Sequence, residues 1–240
     1  ARLVTQHEGG TVRFWDLEGG RELVTLGTVG GSHDVAFDAD GTLLAAAVGQ
    51  WDGAFAVWQA PAGLVSPEAG GWRVLYKQLG HTGILSRLAF DPAGRRLATG
   101  GADGAIRMWE LPADGTMGVR GSELTGDVAG FTDMAFSPDG RFLAAASGDT
   151  VQVWDMTVNP PAAPRPVARF PAGAPTSLAW GPDGSRLAAG FRDGSCSILD
   201  AATGASTAIL AGHAGEVLDL AYSPDGRRLA SVSADGTARL

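Results

Sequence analysis

The stretch GHTGILSRLAFDPAGRRLATGGADGAIRMWE, Gly80 to Glu110, decides the fold. An apolar run from Ile84 to Phe90 passes through a turn at Asp91 to Gly94 into a second run at Arg96 to Thr99. A tight Asp103-Gly104 turn then leads to a third run ending at Trp109. Each run has the length of one β-strand, and the turns carry the residues that hairpins need. Pro92 fixes φ and Gly94 tolerates positive φ, so DPAG reads as a hairpin turn and not as a phosphate loop.

The same register recurs along the chain. The aromatic that ends the first run returns as Phe37, Phe90, Phe136, Trp180 and Tyr222, at intervals of 53, 46, 44 and 42 residues. A leucine follows seven residues later in every copy, as Leu44, Leu97, Leu143, Leu187 and Leu229, with DADG, DPAG, SPDG, GPDG or SPDG between them. Ala1 to Thr5 align with Arg95 to Thr99, so the first of six copies begins at its second strand. The sixth stops at Leu240, one position before the place of its tryptophan.

A Gly-His pair, an Asp-Gly turn and a closing Trp followed by an acid, repeated at about 40 to 45 residues, form the signature of propeller blades. Over nearly its whole length the chain resembles the WD-repeat β-propeller family, and its Gly/Ala/Arg-rich SPDG repeats resemble the bacterial type. The resemblance implies an all-β fold of four-stranded antiparallel blades within one propeller domain, 1–240. About six blades are expected, the first and last incomplete, as a fragment of a longer propeller protein of about seven blades. Long Pro- and Gly-rich connections follow Trp58, Glu110 and Asp155, where the resemblance places loops on the bottom face.

Composition narrows the function. A net charge of −8 disfavours nonspecific binding to nucleic acid or an anionic membrane, which requires clustered Lys or Arg, so neither partner is expected. No apolar run approaches the roughly 18 residues that span a bilayer. The single cysteine, Cys196, excludes an internal disulfide framework and a multi-cysteine metal site; it reads as a packed thiol, and no metal or cofactor is expected. The setting is expected to be cytoplasmic, although the chain opens in mid-repeat without an initiator methionine and its true N-terminus is expected to be missing.

Asp, His and hydroxyl residues within one repeat invite comparison with a nucleophilic triad. The family resemblance implies instead a structural chain in which the turn Asp bonds the His, the His a Ser or Thr, and the hydroxyl the Trp indole. The third copy carries all four as His81, Thr99, Asp103 and Trp109, and the sixth carries His213, Ser231 and Asp235. Elsewhere the set decays: Ala46, Ala145 and Ala189 replace the hydroxyl, Gly9 replaces the first acid and Leu199 replaces a Trp. No catalytic residue is assigned. His33, Asp34, Asp127 and Glu216, near the starts of innermost strands, are the only candidates for channel chemistry, and they share no evident spacing.

For binding, residues beside the turn aspartates on the top face matter most, because Trp and Arg are favoured interface anchors. Trp51, Phe191, Arg192 and His33 are the candidates. The sequence reading is thus a protein-protein interaction scaffold binding a protein or peptide, possessing no catalysis of its own, and forming the docking or sensing part of a bacterial signalling protein. The alternative is a propeller enzyme or small-ligand sensor using the central channel.

Overall fold

The computed structural model describes residues 2–7, 11–16, 18–27, 34–48, 53–60, 73–111, 119–125, 130–157, 165–169 and 173–240. Every regular element among them is a strand, and the strands form six antiparallel sheets. The first sheet holds β1 (Arg2–His7), β2 (Thr11–Asp16) and β3 (Arg21–Gly27). The second holds β4 (Val35–Phe37), β5 (Leu43–Ala47), β6 (Ala54–Gln59) and β7 (Arg73–Leu79), and the third β8 (Leu85–Phe90), β9 (Arg96–Gly101), β10 (Ala105–Glu110) and β11 (Val119–Thr125). The fourth comprises β12 (Asp133–Phe136), β13 (Phe142–Ser147), β14 (Thr150–Asp155) and β15 (Arg165–Arg169). The fifth comprises β16 (Pro175–Trp180), β17 (Arg186–Phe191), β18 (Cys196–Asp200) and β19 (Ser206–Leu210). The sixth has β20 (Val217–Tyr222), β21 (Leu229–Ser233) and β22 (Ala238–Arg239). Two compact units result, Ala1–Gly121 and Ser122–Leu240, the boundary falling within β11.

The seven-residue spacing has a direct geometric meaning. Phe37 faces Leu44, Phe90 faces Leu97, Phe136 faces Leu143, Trp180 faces Leu187 and Tyr222 faces Leu229, each pair directly across the first hairpin of its sheet. One turn geometry enforces this register. In all five the amide after the aromatic donates to the carbonyl five residues on, and in four its side chain also accepts: Asp38 from Leu43 at 2.8 Å, Asp91 from Arg96 at 2.9 Å, Ser137 from Phe142 at 2.9 Å and Ser223 from Arg228 at 3.0 Å. A carboxylate and a hydroxyl oxygen serve equally as acceptors here. The turn glycine, for example Gly140 at φ 68°, occupies a conformation that side chains disfavour.

Within unit 2, neighbouring sheets pack through unlike faces. In unit 2, Ala144 and Ala146 of the fourth sheet lie against Leu178, Trp180, Leu187 and Phe191 of the fifth, and Ala179 and Ala188 of the fifth lie against Val217, Leu220 and Tyr222 of the sixth. In unit 1 the second sheet adds Phe55 and Val57 to Ala45 and Ala47 against Leu88, Phe90, Leu97 and Trp109 of the third, with the Phe55 and Trp109 rings 4.9 Å apart. A face of small side chains lets the neighbouring backbone approach closely, while the large residues opposite supply most of the buried apolar area. Gly190 follows the same rule, since a Cβ there would lie 2.6 Å from Val217 Cγ1. The Pro- and Gly-rich connections lie outside the described residues.

Candidate functional site

The third sheet carries a continuous polar chain. His81 precedes β8, Thr99 sits in β9, Asp103 in the turn after it and Trp109 near the end of β10. The Trp109 indole N–H donates to Thr99 Oγ1 at 2.9 Å, Thr99 Oγ1 lies 2.8 Å from His81 Nε2, and His81 Nδ1 lies 2.9 Å from Asp103 Oδ1. The Thr99 hydroxyl can donate to Nε2, while Nδ1 is contacted by both the Asp103 carboxylate and the Arg107 guanidinium. The Thr82 amide and the Arg107 guanidinium also donate to Asp103 Oδ2, at 3.0 and 2.7 Å.

Two glycines admit this chain. A Cβ on Gly80 would stand 2.6 Å from the Trp109 ring, and one on Gly101 would stand 2.3 Å from His81 Nδ1. The glycine of the Gly-His pair is therefore a packing requirement of the tryptophan 29 residues later. Burial, joined by the Arg107 charge, lowers the His81 pKa against the opposing effect of Asp103, so the imidazole is neutral near pH 7. Burial alone would raise the Asp103 pKa, but hydrogen bonds from His81, Thr82 and Arg107 prevail and hold it well below the usual carboxylate range.

This arrangement has the composition of a triad without its accessibility. Thr99 is fully buried, and its oxygen already accepts from an indole while its proton faces the imidazole. A hydroxyl so enclosed presents no nucleophile to a substrate. The sixth sheet repeats the chain: His213 Nδ1 lies 3.0 Å from Asp235, His213 Nε2 lies 2.8 Å from Ser231 Oγ, and the Ala214 amide donates to Asp235 at 2.9 Å. In the first sheet the Trp15 indole N–H donates to Thr5 Oγ1 at 2.7 Å. In the fourth, where Ala145 replaces the hydroxyl, the Trp154 indole N–H is buried with no hydrogen-bond partner.

The expected interface residues fare differently. His33 and Trp51 lie outside the described residues. Phe191 must be corrected: it is 5% exposed and packed among apolar residues of the fourth and fifth sheets, so it is unavailable to a partner. Alternation along β17 turns its side chain into the sheet interface. Arg192, the next residue, projects outward with 74% of its side chain exposed, and its Nε lies 3.5 Å from Glu216. Cys196 is buried against Ala188 and Val217, and desolvation raises its thiol pKa.

Asp34, considered for channel chemistry, instead joins sheets. Its Oδ2 accepts the Leu88 amide of the third sheet at 2.8 Å and its Oδ1 the Val35 amide at 2.9 Å; burial raises its pKa. Asp133 does the same in unit 2, accepting the Leu178 amide at 2.6 Å and the Met134 amide at 2.8 Å. Both stand three residues before the strand-ending aromatic, as does Asp219. Asp34 thus shares a spacing with Asp133 and Asp219, not with His33, Asp127 and Glu216, and counting back from the aromatic reveals it. Among the described residues, no His, Cys, Asp and Glu side chains gather into a metal-ligand set.

Comparison with known proteins agrees with this geometry. Residues 72–110, 118–155 and 204–240 match the family model "WD domain, G-beta repeat", and residues 151–213 match the "Anaphase-promoting complex subunit 4 WD40 domain". The repeats are WD40 repeats. The sheets are blades of a β-propeller: the chain superposes on the β-propeller domain of Cps50 (Swd1) from Myceliophteria thermophila with a TM-score of 0.70 and 22% identity, covering 85% of this chain and 63% of that one. Among WD40 relatives, the small ribosomal subunit protein RACK1 of Caenorhabditis elegans is 30% identical over 150 residues, 60% of this chain and 42% of that protein. Rice small ribosomal subunit protein RACK1z is 34% identical over 125 residues, 50% of this chain and 35% of that protein. The chain thus spans less than half the length of these curated relatives. They are eukaryotic, and they give the expected bacterial type no support.

Proposed function

We propose that the chain is a rigid protein-interaction scaffold built on WD40 blades, with no catalysis of its own, acting in the cytoplasm as the docking part of a signalling protein. The observation that carries this reading is the saturated polar chain of the third sheet, repeated in the sixth. Its histidines, hydroxyls and carboxylates bond one another and lock strands of one blade together, leaving the projecting surface groups for recognition. The resemblance to RACK1 proteins supports a role within an assembly. Because those relatives are named as small ribosomal subunit proteins, an assembly containing RNA is the second setting to test.

The test compares protein captured by the immobilised chain with that captured by Arg192→Glu and Trp51→Ala. A defined partner, lost with either substitution while the thermal transition is unchanged, supports the reading. A partner that leaves on ribonuclease treatment moves the chain to the second setting. Turnover of any substrate that is abolished by His81→Ala in a folded protein overturns the scaffold assignment.

A further inference from the structure

Nine Asp-Gly pairs occur in the chain, and seven of them lie among the described residues. At this dipeptide the backbone isomerises readily, because glycine places no side chain beside the amide nitrogen that must approach the aspartate carboxyl. Six of the seven carboxylates are held. Asp103 and Asp235 belong to the polar chains, and Asp193 accepts the Ser195 amide at 2.9 Å and its hydroxyl at 2.6 Å. In the hairpin turns Asp139 accepts the Ser137 hydroxyl at 2.6 Å and the Arg141 amide at 3.0 Å, Asp183 the Ser185 amide at 3.0 Å, and Asp225 the Ser223 hydroxyl at 2.6 Å and the Arg227 amide at 3.1 Å. Asp40 holds the same place in the turn of the second blade and is exposed as those three are, yet its carboxylate accepts no hydrogen bond among the described residues.

The cause is a neighbour in the same turn. The amide two residues on, which serves Asp139, Asp183 and Asp225, belongs here to Thr42, and it donates instead to Asp38 Oδ1 at 2.7 Å. Asp38 also takes the Thr42 hydroxyl at 2.7 Å and the Leu43 amide at 2.8 Å. Where Asp38 stands, the fourth and sixth blades have Ser137 and Ser223, whose hydroxyls donate to the turn aspartate rather than compete with it, and the fifth has Gly181. Space does not set Asp40 apart, since a Cβ on Gly41 or on Gly184 would meet no atom within 4 Å. Nor does the attacking amide: Gly41, Gly140, Gly184 and Gly226 each donate across their turn, at 3.1, 2.8, 2.9 and 2.8 Å. The carboxylate alone is different.

We propose that Asp40-Gly41 is a modification site, at which the folded chain forms isoaspartate ahead of the six held pairs. The Gly41 nitrogen attacks Asp40 Cγ; the N–Cγ bond forms, the bond from Cγ to the acid oxygen breaks, and that oxygen leaves as water with the amide proton and the acid proton. Water then opens the cyclic imide. Cleavage of the N–Cγ bond restores aspartate, whereas cleavage of the bond from nitrogen to the Asp40 main-chain carbonyl carbon leaves the chain running through Cβ and Cγ with a free α-carboxylate. Water is the only co-reactant. A held carboxylate must first release its donors, and those same hydrogen bonds lower the pKa of Asp139, Asp183, Asp193 and Asp225, which depletes the protonated acid that ring closure consumes. The product adds one backbone atom to the turn that sets Phe37 opposite Leu44.

The test ages the 240-residue chain at neutral pH and body temperature, in buffer and in urea, and locates isoaspartate by electron-transfer fragmentation of its peptides. In buffer, isoaspartate is expected to accumulate at Asp40 about tenfold faster than at Asp139, Asp183 or Asp225, because releasing one hydrogen bond to a charged acceptor costs about one tenfold step in rate. In urea the four rates are expected to converge. Asp38→Ser, which returns the Thr42 amide to Asp40, should slow the reaction there, and Ser137→Asp should speed it at Asp139. Asp40→Glu, whose longer side chain closes no five-membered ring, should remove the signal. Equal rates at the four sites in buffer, an Asp40 excess that persists in urea, or an unchanged Asp40 rate in an Asp38→Ser protein that keeps its thermal transition would each overturn the proposal. The first two comparisons use the unsubstituted chain and decide the matter even where a variant fails to fold.

Discussion

Ala145→Thr is expected to stabilise the protein by completing a hydrogen bond that the fourth blade lacks. The Trp154 indole N–H is buried and unpartnered, a state that costs about 1–3 kcal/mol relative to a paired donor. Leu143 faces Trp154 and Ala145 faces Gln152, just as Leu97 faces Trp109 and Thr99 faces Arg107. A threonine hydroxyl at this position therefore takes the place that Thr99 Oγ1 occupies 2.9 Å from its indole, and its proton can serve Gln152 Oε1, another buried atom without a partner. Opposing this, Ala145 is 2% exposed, and crowding a packed interior costs about 1–3 kcal/mol when neighbours cannot relax. The same position in the third blade holds a fully buried threonine, so the crowding is expected to fall at the low end of that range. The net gain should be about 1 kcal/mol, or about 2–4 °C in Tm for a chain of this size. Urea and thermal denaturation of Ala145→Thr and Ala145→Val, each alone and combined with Trp154→Phe, would measure it. Valine keeps the branching and volume and removes only the hydroxyl. A valine variant as stable as the threonine variant, or a gain that survives Trp154→Phe, would refute the reasoning.

Three further outcomes follow from the polar chain and its surroundings. His81→Ala should lower stability by about 1–3 kcal/mol, because Thr99 and Asp103 lose a buried partner; unchanged urea midpoints would contradict this. Gly101→Ala should be destabilising by about 1–3 kcal/mol, since its Cβ would displace His81 and press on Asp103, 2.9 Å away, and amide exchange of β9 should rise. Stability should also fall as pH drops. The folded His81 resists protonation while the unfolded chain takes up a proton near pH 6.5, so the unfolded state binds more protons below that value. Asp103, held low in the fold, adds a second loss of the same sign below about pH 4, whereas Asp34, raised by burial, acts in the opposite direction. A urea midpoint constant from pH 8 to 4.5 would count against a neutral His81.

The blade pattern was legible because a fixed turn converts a sequence offset into a spatial pair. Once aromatic and leucine stand seven apart across an identical hairpin, strand, register and facing residue all follow. Phe191 was misread for a related reason. Proximity to the Asp193 turn suggested the surface, but Phe191 is the last residue of β17 and alternation turns it inward, whereas Arg192 lies in the turn beyond the strand and projects outward. Asp34 and Asp133 escaped notice because their partners are backbone amides of another blade, and an amide leaves no mark in side-chain composition.

The contrast between the alanine-lined and the leucine- and aromatic-lined faces gives the blades of unit 2 a polarity. A blade can be followed only by one that offers its bulky side, so the series has a direction in the same sense as the polypeptide itself. Within unit 2, where the fourth to sixth blades show this match, each junction repeats the one before it. Gain or loss of one whole repeat regenerates the same junction, whereas a change of part of a repeat breaks two. That rule makes the complete repeat, rather than the strand or the hairpin, the natural step by which such a chain lengthens or shortens.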